Sequence, residues 1–275
     1  MKMTMAEYLS HPAVGSSSLR TLIASTPAHY KHKLENPTPS TPDQEFGTAI
    51  HQAILEPKFF KQQMIVRPIF EGKTKKGELT TSMNCDEVRE KATRWEMANH
   101  GKTIISQEQF EQVQGILNSI SNHRQAVKLI TNGASEESLF WKDPESGIPC
   151  KARLDWRREG HIIVDVKTTL NAAHWSFRKD AAKYGYHIQG AMHLDAATAN
   201  FSLIHDTYII IAVEKKAPFA VNCFQLKQST IQEGRQSYYK ALLTMKECLK
   251  TGFWPGYGDQ LTPLELSSWA LGEDL

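Results

Sequence analysis

The chain has 275 residues, 40% hydrophobic and 23% charged, with a formal net charge of +2. That balance suits a folded chain with one substantial core and excludes pervasive disorder. It leaves partners undetermined, because a basic surface and a carboxylate-rich site would cancel in the sum. No apolar stretch approaches the ~18 residues of a membrane span. The start, MKMTMAEYLSHP, lacks a secretory apolar run, so no membrane association and a cytoplasmic location are expected. Cys85, Cys150, Cys223 and Cys248 stand singly with no C-x-x-C pair, and they read as buried thiols, not zinc or iron–sulfur ligands.

Residues 7–35 read as two short helices, with Ser16, Ser17 and Ser18 offering an N-cap and Pro27 opening the second. A Pro-rich connector, 36–42, leads to a helix in which Phe46, Ile50, Ala53 and Ile54 recur at helical spacing until Pro57 ends it; His51 lies off that stripe. The polar stretch 71–83 (EGKTKKGELTTSM) reads as a mobile basic loop, and 85–100 and 107–130 as amphipathic helices. From Ser135 the period changes to that of strands, over 137–141, 150–158 and 161–168, with turns at Asp143-Pro144 and Glu159-Gly160. A helix over 174–198, strands over 207–213 and 219–226, and a helix over 230–249 follow. The aromatic segment from Phe253 should pack back on the rest. The expectation is a single α/β (α+β) domain over 1–275. It comprises a helical N-terminal part, 1–60, a catalytic core, 135–250, and a tail, 251–275, built on a central mixed sheet with an antiparallel meander flanked by helices.

The hairpin Lys151–Lys167 carries the chemistry. On its second strand Ile163, Asp165 and Lys167 share one face and Ile162, Val164 and Val166 the other; on the first, Ala152, Leu154 and Trp156 oppose Arg153, Asp155 and Arg157. A loop of two residues would mix charge with core, so a three-residue loop or a one-residue bulge is expected, with Gly160 taking a positive φ. That register places Asp155 and Asp165 on one face and the apolar residues on the other. Two carboxylates and a lysine on one side of a sheet suit a hard divalent cation, Mg²⁺ or Mn²⁺, and phosphodiester hydrolysis uses all three groups. The same pattern also fits a solvated strand face with Lys167 paired to Asp165 or Asp155.

Asp155 and Asp165-Val166-Lys167, after a helix with Gly47-Thr-Ala-Ile-His51 and before one with Gln189, resemble the PD-(D/E)XK nucleases of the RecB-like kind. His11-Pro-Ala-Val-Gly-Ser-Ser-Ser-Leu-Arg20, Ser25-Thr-Pro-Ala-His-Tyr30, Phe46-Gly-Thr-Ala-Ile-His51 and Leu55-Glu-Pro57 resemble phage and prophage exonucleases of the RecE (exonuclease VIII) type, over about residues 7–257. The resemblance implies a restriction-endonuclease-like core and a 5′-to-3′ exonuclease on double-stranded DNA ends. It also implies a ring-shaped homo-oligomer and a single-strand annealing partner. In that frame His51 and Asp155 are metal ligands, Asp165 bridges the two metal sites of a two-metal hydrolase, the Val166 carbonyl adds a ligand, Lys167 is the catalytic lysine and Gln189 holds water or phosphate. The family often has Gln-x-x-x-Tyr where this chain has Gln189 and His193, so Tyr186 or His193 takes the tyrosine's place or the role is lost. Glu136 or Glu137 is a further candidate carboxylate. Arg20, Arg153, Lys73, Lys75 and Lys76 are candidate DNA contacts. Another RecB-like endonuclease, a single-strand nuclease and a catalytically silent DNA-binding subunit are the alternatives.

Overall fold

The computed structural model describes residues 3–265. In chain order the elements are α1 (Met5–Ser10), α2 (Ser16–Ala24), α3 (Pro27–Glu35), α4 (Pro42–Leu55), α5 (Pro57–Gln63), β1 (Met64–Val66), β2 (Gly72–Lys73), β3 (Leu79–Thr80), α6 (Asp86–Ala98) and β4 (Thr103–Ile105). Then come α7 (Gln107–Asn122), α8 (Arg124–Leu129), β5 (Gly133–Lys142), β6 (Pro149–Arg158), β7 (Ile162–Thr169), α9 (His174–Lys183), α10 (Tyr186–Asn200), β8 (Thr207–Glu214), β9 (Val221–Gln225) and α11 (Gln228–Thr251).

The central sheet has the order β5-β6-β7-β8-β9, antiparallel except for the parallel pair β7–β8, which α9 and α10 connect. A mixed sheet with an antiparallel meander is therefore present, and the restriction-endonuclease-like architecture holds. The expected clean division into one apolar and one polar face does not hold. Ile163, Tyr208, Ile210 and Ala212 pack in one core layer beneath α10, α11 and α2, whereas Val164, Val166, Ile211 and Val213 pack in the other with Ile50, Ala53, Val113 and Ile116. Both faces are dry because a parallel crossover puts helices over one face while the N-terminal helices cover the other. Burying both sides of β7 and β8 is the main source of cohesion, at about 1.5–3 kcal/mol per large apolar side chain.

Several boundaries differ from expectation for local reasons. The N-terminal stretch forms three helices: Thr4 caps α1 with a reciprocal Glu7 bond and Thr26 caps α3. The 107–130 helix breaks at His123, whose Nδ1 accepts the Ala126 N–H at 3.1 Å. The 174–198 helix breaks at Gly185, where φ is 65°. The stretch 71–83 is not a bare loop; it carries the β2–β3 hairpin, docked on α6 so closely that a Cβ on Gly72 would sit 2.8 Å from Val88. The β1–β4 parallel pair has no signature in the sequence, since three-residue strands carry no readable period. Trp254 stacks on Tyr30 with centroids 5.8 Å apart, so the described part of the tail does fold back; 266–275 lie outside the described residues.

Helices α10 and α11 are bound together tightly. Arg235 donates to Asp195 from Nε at 2.9 Å and from Nη2 at 2.6 Å, and Tyr238 OH donates to the same carboxylate. Gly234 allows the approach, because a Cβ there would lie 2.1 Å from the His187 carbonyl oxygen. This contact fixes the start of α10, and hence Gln189.

Candidate active site

The loop joining β6 to β7 is Glu159-Gly160-His161, the odd length that the charge pattern demands, with Gly160 at φ 90°. Trp156 pairs with Val164 and Arg157 with Ile163, and there the β6–β7 ladder ends. The strands fork. The N–H of Val166 donates to Asp155 Oδ2 at 2.8 Å instead of to a β6 carbonyl. Next to the fork, β5 pairs Ser135 with Trp156 and Glu137 with Leu154 but skips the Glu136–Asp155 position. Glu136 has φ 53°, an unfavourable left-handed conformation for a residue with a side chain. Leu154 packs in the layer beneath α10 while Trp156 packs in the opposite layer. The expected regular alternation of Ala152, Leu154 and Trp156 is thus corrected: the chain changes face at Asp155.

The distortion turns Asp155 and Glu136 toward α4. His51 Nδ1 lies 3.3 Å from Asp155 Oδ2. His51, Glu136 and Asp155 offer ligand atoms all within 4.8 Å of one another. Asp165 stands on the α10 side. Its Oδ2 is 2.5 Å from Lys167 Nζ, and its Oδ1 accepts Gln189 Nε2 at 2.9 Å.

Electrostatics fit a cation in the trio. Burial, then the charge of Asp165, push the Asp155 carboxyl well above the usual range. Burial, then Asp155, raise Glu136, although Arg153 Nε donates to it at 2.7 Å. Burial, then the Lys167 ammonium, lower His51, so its imidazole is neutral with a free lone pair. The donor set is therefore one neutral nitrogen and two largely buried carboxylates whose negative charge Arg153 and Lys167 offset only in part, which suits a divalent metal. Burial alone would lower Lys167, but Asp165 and Asp155 outweigh it and hold the amine protonated.

Residues 15–264 match the model of a PDDEXK-like domain family of unknown function (DUF3799). The chain belongs to that family, and so to the PD-(D/E)XK nuclease superfamily. A solved structure of a candidate exonuclease from Eubacterium rectale is 16% identical, with a TM-score of 0.64 and 100% of each chain covered. One of a phage-related exonuclease from Haemophilus somnus 129PT is 13% identical, with a TM-score of 0.39 over 90% of this chain and 99% of that one. At these identities the likeness concerns the fold, and only the first supports it. No curated protein matches.

The remaining sequence candidates fall at different places in the PDDEXK-like fold. Tyr186 faces Lys167, whose Nζ is 5.2 Å from the ring centroid. His193 is buried and near Tyr208, with Nδ1 3.4 Å from the hydroxyl. Glu137 is held by Arg157 through bonds of 2.7 and 3.1 Å, so Glu136 alone of the two joins the trio. Arg153 is occupied by Glu136, the Met3 carbonyl and Ser138, and acts on the site through Glu136. Arg20 donates to the Tyr184 carbonyl at 2.5 Å and lines a cavity of about 420 Å³ together with Ser16, Ser17, Lys167, Gln189 and Lys215. Lys73, Lys75 and Lys76 are exposed on the hairpin and belong to neither cavity nor trio. The sequence did not single out Lys215, because a lysine after a strand carries no distinguishing pattern.

Proposed function

We propose that the protein is a DNA exonuclease dependent on Mg²⁺ or Mn²⁺ that digests linear duplex DNA from its ends in the 5′-to-3′ direction. The observation that carries the hydrolytic reading is the His51–Glu136–Asp155 trio beside the Asp165–Lys167 pair at the sheet fork. The RecE-type sequence pattern supports end-directed digestion. By the same resemblance, a homo-oligomeric ring and an annealing partner for the 3′ tail complete the proposal.

His51, Glu136 and Asp155 would hold the ion, with Asp165 and the Val166 carbonyl adjoining. When bound, it supplies Lewis acidity and a more acidic water. Gln189 fixes the orientation of Asp165, and Asp165 fixes Lys167. Held protonated, Lys167 aligns the attacking water and offsets phosphate charge, and it does not serve as the base. A silent DNA-binding subunit is the weaker reading, since it would have no use for a complete donor set.

The test is digestion with Mg²⁺ of linear duplex labelled at one 5′ end, beside closed circular duplex. Release of the label, resistance of the circle, and loss of turnover by ~10²–10⁴ in Lys167→Ala and Asp165→Ala are expected. Cutting of the circle would overturn the exonuclease reading, and an inert native protein the enzyme reading.

A further inference from the structure

Helix α9 follows β7, the strand bearing Asp165 and Lys167, and its outward side presents His174, Trp175, Arg178, Lys179 and Lys183, all exposed. Its acid, Asp180, turns inward, where Thr169 Oγ1 donates to it at 3.2 Å. The helix is thus a basic surface with no outward acid of its own. One aromatic ring, Trp175, stands on it, 62% exposed, and a second, Tyr184, 43% exposed, follows at the helix end half a turn further round the axis. Each ring has an ammonium of the same helix beside it. Lys179 Nζ is 5.8 Å from the Trp175 centroid, and Lys183 Nζ is 5.4 Å from that of Tyr184.

The rings lead back to the chemistry. Tyr184 stacks on Tyr186 with centroids 6.0 Å apart and planes 25° apart, and Tyr186 has the Lys167 amine over it. Between the tyrosines Gly185 takes φ 65°, the turn that lets successive aromatics face the same way, and Arg20 clamps the Tyr184 carbonyl. Trp175 lies about 13 Å further along the helix at 1.5 Å per residue and on the opposite side of its axis, so a strand of a few nucleotides would reach it by crossing the helix over Lys183 and Lys179. Alternating flat rings and amines suit an unpaired strand, whose bases are free to stack while its phosphates meet cations; paired bases present no open faces.

We infer that Tyr186, Tyr184 and Trp175, with Lys183 and Lys179, form a track that binds the single-stranded end of the nucleic acid entering or leaving the active site. This rests on the nuclease reading for its purpose but not for its test. The probes are labelled oligo(dT) and a blunt hairpin duplex, bound to the full chain in EDTA, where no hydrolysis occurs, and followed by anisotropy. Trp175→Ala and Tyr184→Ala should each weaken oligo(dT) binding about tenfold, a loss typical of one stacking contact, and change duplex binding little. Trp175→Phe should restore most of it. The double variant Lys179→Ala/Lys183→Ala should lower the slope of log affinity against log salt by about 0.7 for each phosphate contact removed. Trp175 is largely exposed, so a folding defect is not expected. Unchanged oligo(dT) affinity in both ring variants, or an equal loss for duplex, would overturn the track. A native protein that binds oligo(dT) in this way yet digests nothing with Mg²⁺ would uphold the track while refuting the nuclease reading.

Discussion

Asp155 accepts the main-chain N–H of Val166 at 2.8 Å across the fork between β6 and β7. One carboxylate thereby closes a broken strand ladder and faces His51, and it carries a charge that its surroundings balance only in part.

Replacing Asp155 by Asn keeps an acceptor for Val166 but removes that charge. The folded-state pKa of Asp155 is raised, so its ionisation costs stability as pH rises above the unfolded value near 3.8. At pH 8 in EDTA, Asp155→Asn should therefore be more stable than the native protein, by something of order 1 kcal/mol. Adding Mg²⁺ should raise the native Tm, by the ligand linkage that reaches about 2.7 kcal/mol at a hundredfold excess over Kd, and leave the variant's unchanged. Thermal scans with and without metal decide it. A variant less stable than the native chain in EDTA would contradict the charge argument.

Glu136 and Glu137 are neighbours with opposite consequences. Glu136→Gln should lower turnover at least ~10²-fold and weaken metal-induced stabilisation, since it removes one of the trio's carboxylates. Glu137→Gln breaks the Arg157 pair and should lower stability by about 1 kcal/mol with turnover within a few-fold of native. Equal kinetic defects in the two would remove Glu136 from the ligand set.

The hairpin shows how much of this was legible in the residues. Requiring Asp155 and Asp165 to share a face led to the three-residue loop and the positive φ of Gly160, although the structure turns Asp155 toward α4 and leaves Asp165 on the α10 side. The same alternation rule failed at Trp156, because it assumes a regular strand and Glu136 and Asp155 interrupt both β5 and β6. The choice of Glu136 over Glu137 was equally hidden: it depends on a backbone twist and on Arg157 claiming the other acid. His51, Gln189 and Tyr186 were placed by family resemblance, since the sequence alone does not show which helix faces meet.

Gly234→Ala puts a methyl group 2.1 Å from the His187 carbonyl oxygen, a backbone atom that cannot step aside. Overpacking of this kind costs about 1–3 kcal/mol. Because His187 lies in the first turn of α10, Gln189 should shift as well, and turnover should fall together with the denaturant midpoint. An unchanged midpoint would show that α11 is free to move.

His193 is buried, which lowers its pKa to about 4 against the opposing pull of Asp165. Below pH 6.5 the unfolded chain takes up a proton that the folded one refuses. Stability should accordingly fall as pH drops from about 6.5 toward 4, by up to roughly 3 kcal/mol at the acid end. His193→Gln should flatten the dependence of Tm on pH in that window. A slope identical to the native one would mean that another group governs acid sensitivity.

The strand bearing Asp165 and Lys167 is pressed between two dry layers. Sliding it by one position would thrust an aspartate into oil on one side and offer a valine to Gln189 on the other. Intermediate alignments are thus penalised by the core as heavily as by the chemistry. The catalytic apparatus and the completed sheet should appear together during refolding, with no partially assembled yet active species between.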